Sequence, residues 1–200
     1  MKKTFFILFI VNFFIISSYG QLTKVGGAIS YNTGYYFNNE KVSDHKTGNP
    51  VLSATGIYEI SLPFHLKPSI NIFMPNITRD DYGIEGSFKR VVSAFSVDID
   101  AHYVFNYLDR FEFYGLAGFN MLYVRMKVKE EFVGSEPYTI TSSNTALGFN
   151  LGAGSYFKMK DEFDLFFEVK AIIGKQIQGV VTAGILLNIE WMKEHENREI

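Results

Sequence analysis

The sequence predicts an all-β fold: an eight-stranded antiparallel up-and-down transmembrane β-barrel with a filled lumen, preceded by a signal peptide. Three observations predict it. Between Thr145 and Trp191, apolar residues recur at odd positions. They run as Leu147, Phe149, Leu151, Ala153, Phe157 and Met159, then Phe163, Leu165, Phe167, Val169, Ala171 and Ile173, then Val181, Ala183, Ile185, Leu187, Ile189 and Trp191. The positions between them are mainly small or polar, such as Gly148, Asn150, Gly152, Lys158, Asp164, Glu168, Lys170, Thr182 and Asn188. A period of two is that of a strand with one apolar and one polar face. The second observation is an export signal. The third is that short and long connections alternate along the chain, as the turns and loops of an outer-membrane barrel do.

Residues 1–20 have the parts of a secretory signal. Lys2 and Lys3 form a basic start, Thr4 to Ile16 is an apolar run, and Ser18 and Gly20 are small residues before a cleavage point between Gly20 and Gln21. The apolar run is shorter than the roughly 20 residues of a spanning helix. The expected organisation is a signal peptide at 1–20, a barrel at 21–192 and a charged tail at 193–200. The chain has no cysteine, which excludes disulfides, thiolate metal sites and a lipidated cysteine. Its formal charge is −2, and loss of Lys2 and Lys3 makes it −4, which is no nucleic-acid footprint.

Eight strands follow. The first, about Leu22 to Gly34, puts Val25, Gly27, Ile29 and Tyr31 on one face. The second, about Val51 to Leu62, opposes Leu52, Ala54, Tyr58, Ile60 and Leu62 to Ser53, Thr55, Glu59 and Ser61. The third, about Ser69 to Ile77, is the weakest, and Pro75 marks its end or a bulge. The fourth, about Arg90 to Asn106, opposes Phe95, Val97, Ile99, Ala101, Tyr103 and Phe105 to Ser96, Asp98, Asp100 and His102. The fifth, about Phe111 to Val128, turns apolar on both faces near Met121, where a bulge is expected. The last three are those described above. Tight connections are expected at Pro63 to Pro68, Tyr107 to Arg110 and Lys160 to Glu162, and a short one at Lys175 to Gln178. Long polar loops are expected at Tyr35 to Pro50 and Lys129 to Asn144, with an intermediate one at Arg79 to Lys89. With the N-terminus inside, every tight connection falls on the periplasmic side.

Size decides which face points out. An eight-stranded barrel is only just wide enough for side chains. The bulky Phe, Tyr, Leu, Ile and Val set does not fit inside; the set of Gly, Ala, Ser and Asn with a few charges does. Aromatics agree, because Tyr103, Phe105, Phe111, Phe113, Phe157, Phe163 and Trp191 all fall at strand ends on the apolar face and on the periplasmic side. That is the pattern of an interfacial girdle.

The segments Tyr114-Gly115-Leu116-Ala117-Gly118-Phe119 and Gly148-Phe149-Asn150-Leu151-Gly152-Ala153-Gly154, followed by Phe163 to Val169 and Val181 to Ile189, resemble the bacterial outer-membrane β-barrel domain family. The likeness is to its small OmpA/OmpX-like eight-stranded members and spans nearly all of the mature chain. It implies insertion into outer-membrane lipid by the barrel-assembly machinery, as a monomer. In many such barrels the last strand ends the chain with an aromatic residue that this machinery reads. Here Trp191 precedes a charged tail, so the signal would be internal.

Candidate chemistry is confined to the lumen and the loops. Pairing Phe157 with Phe163, and Ile173 with Gly179, places Lys170 between Asn150 and Thr182. It places Glu168 between Gly152 and Gly184, whose missing side chains leave room beside it. With Asp98, Asp100, His102 and Asn150 these charges form a polar network. It reads as a hydrogen-bonded plug, since buried charges need partners; an ion or proton path is the alternative. Acidic groups outnumber basic ones in it. His45 falls in the first loop, His65 in a periplasmic turn, His102 near the inner end of the lumen and His195 in the tail. None stands on the lipid face near the outer leaflet, so no catalytic, cofactor or metal site is expected. Gly152 and Gly154 are no nucleotide loop, Asn76-Ile77-Thr78 is a chance glycosylation triplet, and Asp80 and Asp81 are solvated loop carboxylates. The expected role is non-enzymatic: envelope structure, or binding of a surface ligand through the loops. A lipid-modifying outer-membrane enzyme and a narrow channel for ions or small solutes are the alternatives.

Overall fold

The computed structural model describes residues 21–33, 36–37, 40–41, 49–81, 86–108, 110–132, 134, 136–174 and 177–189. The strands are β1 (Gln21–Asn32), β2 (Tyr36–Phe37), β3 (Glu40–Lys41), β4 (Asn49–Ser61), β5 (Phe64–Phe73), β6 (Asn76–Asp81), β7 (Gly86–Leu108), β8 (Phe111–Phe132), β9 (Tyr138–Lys160), β10 (Phe163–Ile173) and β11 (Ile177–Asn188). Nine of them form one antiparallel sheet in the order β5-β4-β1-β11-β10-β9-β8-β7-β6, and β5 also pairs with β7. The sheet is therefore a closed ring. The β1–β11 pairing, from Lys24 opposite Asn188 to Asn32 opposite Val180, joins the first and last strands of the ring. β2 and β3 form a separate two-stranded ribbon.

Eight staves make the ring, because β5 and β6 share one. β5 pairs with the Phe95–Tyr103 part of β7 and β6 with its Ser87–Val92 part. The break falls at Met74–Pro75. Proline cannot donate to a ladder, and this is the one stave where the strand stops and restarts. The third strand thus begins five residues before the expected Ser69 and continues past Ile77 after the break. The expected turn at Pro63 to Pro68 shrinks to Leu62 and Pro63. The expected polar loops shrink too. β8 runs on to Phe132 and β9 starts at Tyr138, while β6 reaches Asp81 and β7 starts at Gly86. Most of the Tyr35 to Pro50 loop lies outside the described residues, as do residues 1–20 and 190–200.

Orientation of the faces follows the alternation. Ile29, Leu52, Ile70, Phe119, Leu147, Leu151, Phe167, Val169 and Ile185 are all exposed on the outside of the ring. Asp98, Asp100, His102, Asn150, Glu168 and Lys170 are buried inside it. The interior is less uniformly small than the sequence reading had it. Ile57, Val104, Tyr114, Leu116, Tyr156, Phe166 and Leu186 with Ala28 form an apolar layer in the lumen. Val51, Phe73, Val92, Ala94, Leu122 and Val124 form a second one. Rings fit because glycines stand against them. A Cβ at Gly154 would run into the Tyr114 ring, and one at Gly184 into Phe166.

The bulge expected near Met121 is absent. β8 keeps unbroken register there with both neighbours, Met121 facing Val97 and Leu147. Its two apolar faces have a different origin: Leu122 and Val124 belong to the upper apolar layer of the lumen. Bulges occur elsewhere, at Leu22/Lys24 and Glu59/Ser61, at Val104/Asn106, and at Phe163/Asp164. The first of these accompanies the inward placement of Ile57, which pairs with Lys24 and is fully buried.

One end of the ring is closed by short turns between β4 and β5, β7 and β8, and β9 and β10. At the other end β7, β8 and β9 continue. β10 pairs with β9 only as far as Phe149, yet β9 begins at Tyr138. About 11 further residues give the extension a length of about 35 Å along the strand. β6 flanks it on one side.

Gly184→Leu should destabilise the barrel by about 1–3 kcal/mol, since the added side chain overpacks against Phe166. Ile185→Leu, on the open outer face, should be nearly silent. Urea unfolding of both variants, followed by the unboiled gel shift, checks the pair.

Candidate functional site

The lumen holds the densest chemistry, between the two apolar layers. Successive inward positions of β7 supply Asp98, Asp100 and His102, and those of β10 supply Glu168 and Lys170. Lys170 Nζ donates to Asp98 Oδ2 and to Asp100 Oδ2, both at 2.8 Å. Asn150 donates to Asp100 at 2.7 Å, and Asn120 donates to Asp98. Glu168 accepts from Lys67 Nζ at 2.6 Å and from the Tyr114 hydroxyl at 3.2 Å. Its other oxygen lies 3.7 Å from Lys170 Nζ, which links the two halves.

Lys67 was missed by the sequence reading. It lies on β5, in the stretch read as a turn, and is buried. The network therefore has a second cation, and the expected excess of acid inside is much reduced. Lys67 also sits over the Phe166 ring, 4.5 Å from its centre. His65 is corrected likewise. It is no turn residue but an inward side chain of β5, directly across from His102. The signal was present: His65, Lys67, Ser69 and Asn71 alternate with Phe64, Leu66, Ile70 and Ile72.

His102 stacks on Tyr114 at 4.2 Å between ring centres, and its Nδ1 is 2.7 Å from the Tyr156 hydroxyl. Its Nε2 lies 3.8 Å from Glu168. Towards the short-turn end, Lys24 pairs with Asp164 at 2.6 Å and Lys158 with Glu112 at 2.5 Å. Towards the other end the wall is hydroxyl and amide. Ser30 meets Thr182 at 2.8 Å, Thr55 meets Ser69 at 2.9 Å, and Asn32 donates to Gln178 at 3.1 Å. The void among these groups is about 30 Å³, room for about two waters.

The neighbours of Glu168 and Lys170 differ from the expected ones. Phe157 pairs with Leu165 and Ile173 with Ile177. Both hairpins are thus shifted by two residues from the expected pairing. An even shift keeps every side chain on its face but changes its neighbours. Lys170 stands between Gly152 and Val180, and Glu168 between Gly154 and Thr182. Gly152 leaves room for Lys170, whose Cβ lies 2.7 Å from where a Gly152 Cβ would be. Gly184 serves Phe166 instead of Glu168.

On the outside, rings gather at two levels. Near the short turns, Phe64 meets Tyr103 at 5.2 Å and Phe111 meets Phe157 at 4.7 Å. Phe105 and Phe113 are exposed at the same end and Phe163 is half-buried; Trp191 lies outside the described residues. The second level was not anticipated. It is the Phe95–Tyr123 pair, at 5.2 Å; a further pair, Phe119–Phe149 at 5.8 Å, lies between the two levels, four residues below Tyr123 on β8. Among the described residues, no group of three or more potential ligands is arranged to hold a metal ion.

Breaking the network by Lys170→Met leaves Asp98 and Asp100 without their cation. It should cost about 3–5 kcal/mol. Adding Asp98→Asn and Asp100→Asn should recover part of the loss, because no unpaired charge then remains inside. Urea titrations of the single and triple variants in lipid vesicles check this.

No curated protein matches the chain significantly. Among solved structures, Neisserial surface protein A aligns with a TM-score of 0.53 at 13% identity, over 85% of this chain and 99% of its own. Ail, the attachment invasion locus protein of Yersinia pestis in complex with the heparin analogue sucrose octasulfate, aligns with a TM-score of 0.52 at 14% identity, over 84% and 97%. The N-terminal β-barrel domain of Pseudomonas aeruginosa OprF gives 0.50 at 15%, over 85% and 99%. At these identities the likeness is one of fold. The model of the outer membrane protein beta-barrel domain matches residues 13–187. With the closed eight-stave ring and its apolar exterior, this match makes the chain a member of the outer membrane protein beta-barrel domain family.

Proposed function

We propose that this chain is a non-enzymatic outer-membrane barrel that acts through its strand extension, not through its lumen. In this reading residues 1–20 are removed as a signal between Gly20 and Gln21. The short turns face the periplasm and the extension stands outside the cell. The two aromatic levels lie at the two interfaces. Tyr123 is 12 residues up from Phe111, so with strands tilted by about 40° the levels are about 30 Å apart.

The observation that carries the reading is the shape of β9. Its Tyr138–Ser143 stretch has β8 on one side and, among the described residues, no strand on the other. The stretch contains no charge and no proline, the devices that usually guard an edge strand. Such an edge can accept an extended segment of a partner through backbone hydrogen bonds. The lumen supports the same conclusion from the other side, since ion pairs and two apolar layers fill it. Surface ligands are also the theme of a structural neighbour, for Ail was solved with a heparin analogue.

Replacing Val128–Ser142 by a short Asn-Gly turn should leave a barrel that inserts and shifts on unboiled gels. Cells carrying it should lose surface adhesion to the level of a deletion strain, with lipid A composition unchanged in both. Altered lipid A on deletion would support an enzyme instead. Steady single-channel conductance of the wild-type chain in planar bilayers would support a channel. External protease on intact cells should cut near Gly134 and spare the Leu108 to Phe111 turn.

A further inference from the structure

The outer face of the extension carries a feature that the edge of β9 does not explain. Register places Arg79, Lys89 and Lys129 side by side across β6, β7 and β8. One step nearer the barrel, Lys127 stands beside Val91, and one step further, Arg125 stands beside Ser93. All five cations are exposed and on the outward side. Two acidic residues stand on this face one step further out: Glu131, which pairs with Lys129, and Asp81 of β6, in register with it across Ser87. Strand spacing puts the group within about 10 by 14 Å.

Directly below, the same face turns apolar. The next row is the ring pair Phe95–Tyr123, and below it come Val97, Met121 and Leu147. Met121 and Leu147 are exposed, as are Ile70, Ile72 and Phe119 nearby. So a patch of positive charge, a pair of rings and an apolar wall follow one another within a few residues of each strand. That sequence of chemistries fits an anionic amphiphile: charge on the cations, acyl chains on the wall. A free anion would use only the top, and an aqueous glycan would have no use for the wall.

We propose that Arg79, Lys89, Arg125 and Lys127 bind the phosphate groups of an outer-leaflet lipid whose acyl chains lie against Phe95, Met121 and Leu147. Guanidinium groups can take phosphate oxygens in pairs, and lysines add point charge. The inference rests on the orientation proposed above, with the extension outside. It assigns the root of the extension to lipid and leaves the β9 edge to a protein partner.

The test uses the full mature chain, refolded in detergent and checked by its gel shift in lipid vesicles. Diphosphoryl lipid A is the probe, and its retention is read by native mass spectrometry. Arg125→Gln/Lys127→Gln should reduce retention at least tenfold. Arg110→Gln/Lys160→Gln, an equal charge change at the short-turn end, should change it less than twofold. The same lipid stripped of its phosphates should be retained at least tenfold less well, and millimolar pyrophosphate should not displace the intact lipid. Equal losses in the two double variants, or equal retention of the stripped lipid, would overturn the proposal. So would displacement of the lipid by a heparin hexasaccharide at equimolar concentration, which would mark the patch as a glycan surface. A chain that fails to insert into vesicles overturns the membrane reading and this proposal with it. One that inserts but shows no dependence on Arg125 and Lys127 overturns this proposal alone.

Discussion

The width of an eight-stave ring governs this molecule. Closing the sheet through the β1–β11 pairing leaves an interior that side chains can only just fill. Bulk must therefore go outside, and whatever remains inside must pack and satisfy its own polar atoms. Both consequences are visible. Leucine, isoleucine and phenylalanine cover the exterior, while Lys67, Lys170, Asp98, Asp100 and Glu168 compensate one another within. Where rings do enter the lumen, as Tyr114 and Phe166 do, Gly154 and Gly184 give up their side chains to admit them.

The same constraint fills the lumen: ion pairs and two apolar layers leave a void of about 30 Å³ among them. At one end three strands run on past their neighbours, supported by a fourth. This extension presents a β9 edge that, among the described residues, has no strand beside it over Tyr138–Ser143, and a cationic outer face on β6 to β8, two surfaces of different chemistry on one sheet.

Much of this was legible in the sequence because a strand's period is two and the outer face must be apolar throughout. Leu147 to Ile173 and Val181 to Leu187 announced their faces without ambiguity. What escaped did so for physical reasons. The Pro63 to Pro68 stretch has a proline at each end and reads as a turn, which hid Lys67 and His65. Yet Pro68 still faces Ile99 in register, and its carbonyl accepts from Thr55. The extension was hidden by charge: Lys129, Glu130 and Glu131 look like the start of a loop, but outside a membrane a strand may carry charges on both faces. Register was the third gap. The hairpins at Asp161 and Gly174 are shifted by two residues from the expected pairing. Such a shift leaves the alternation untouched, so alternation cannot reveal it.

The exposed apolar side chains of the outer wall meet lipid. The chain has a single tryptophan, Trp191, so Trp191→Phe gives a dark background for a reporter. Leu151→Trp places one on the outer wall of β9, and Ser143→Trp places one on the extension. Each is folded into vesicles whose acyl chains are brominated near their midpoints. Fluorescence should be strongly quenched at position 151 and little at position 143. A folded barrel in which position 151 escapes quenching, while aqueous iodide quenches it, would mean that the apolar outer wall faces water and not lipid.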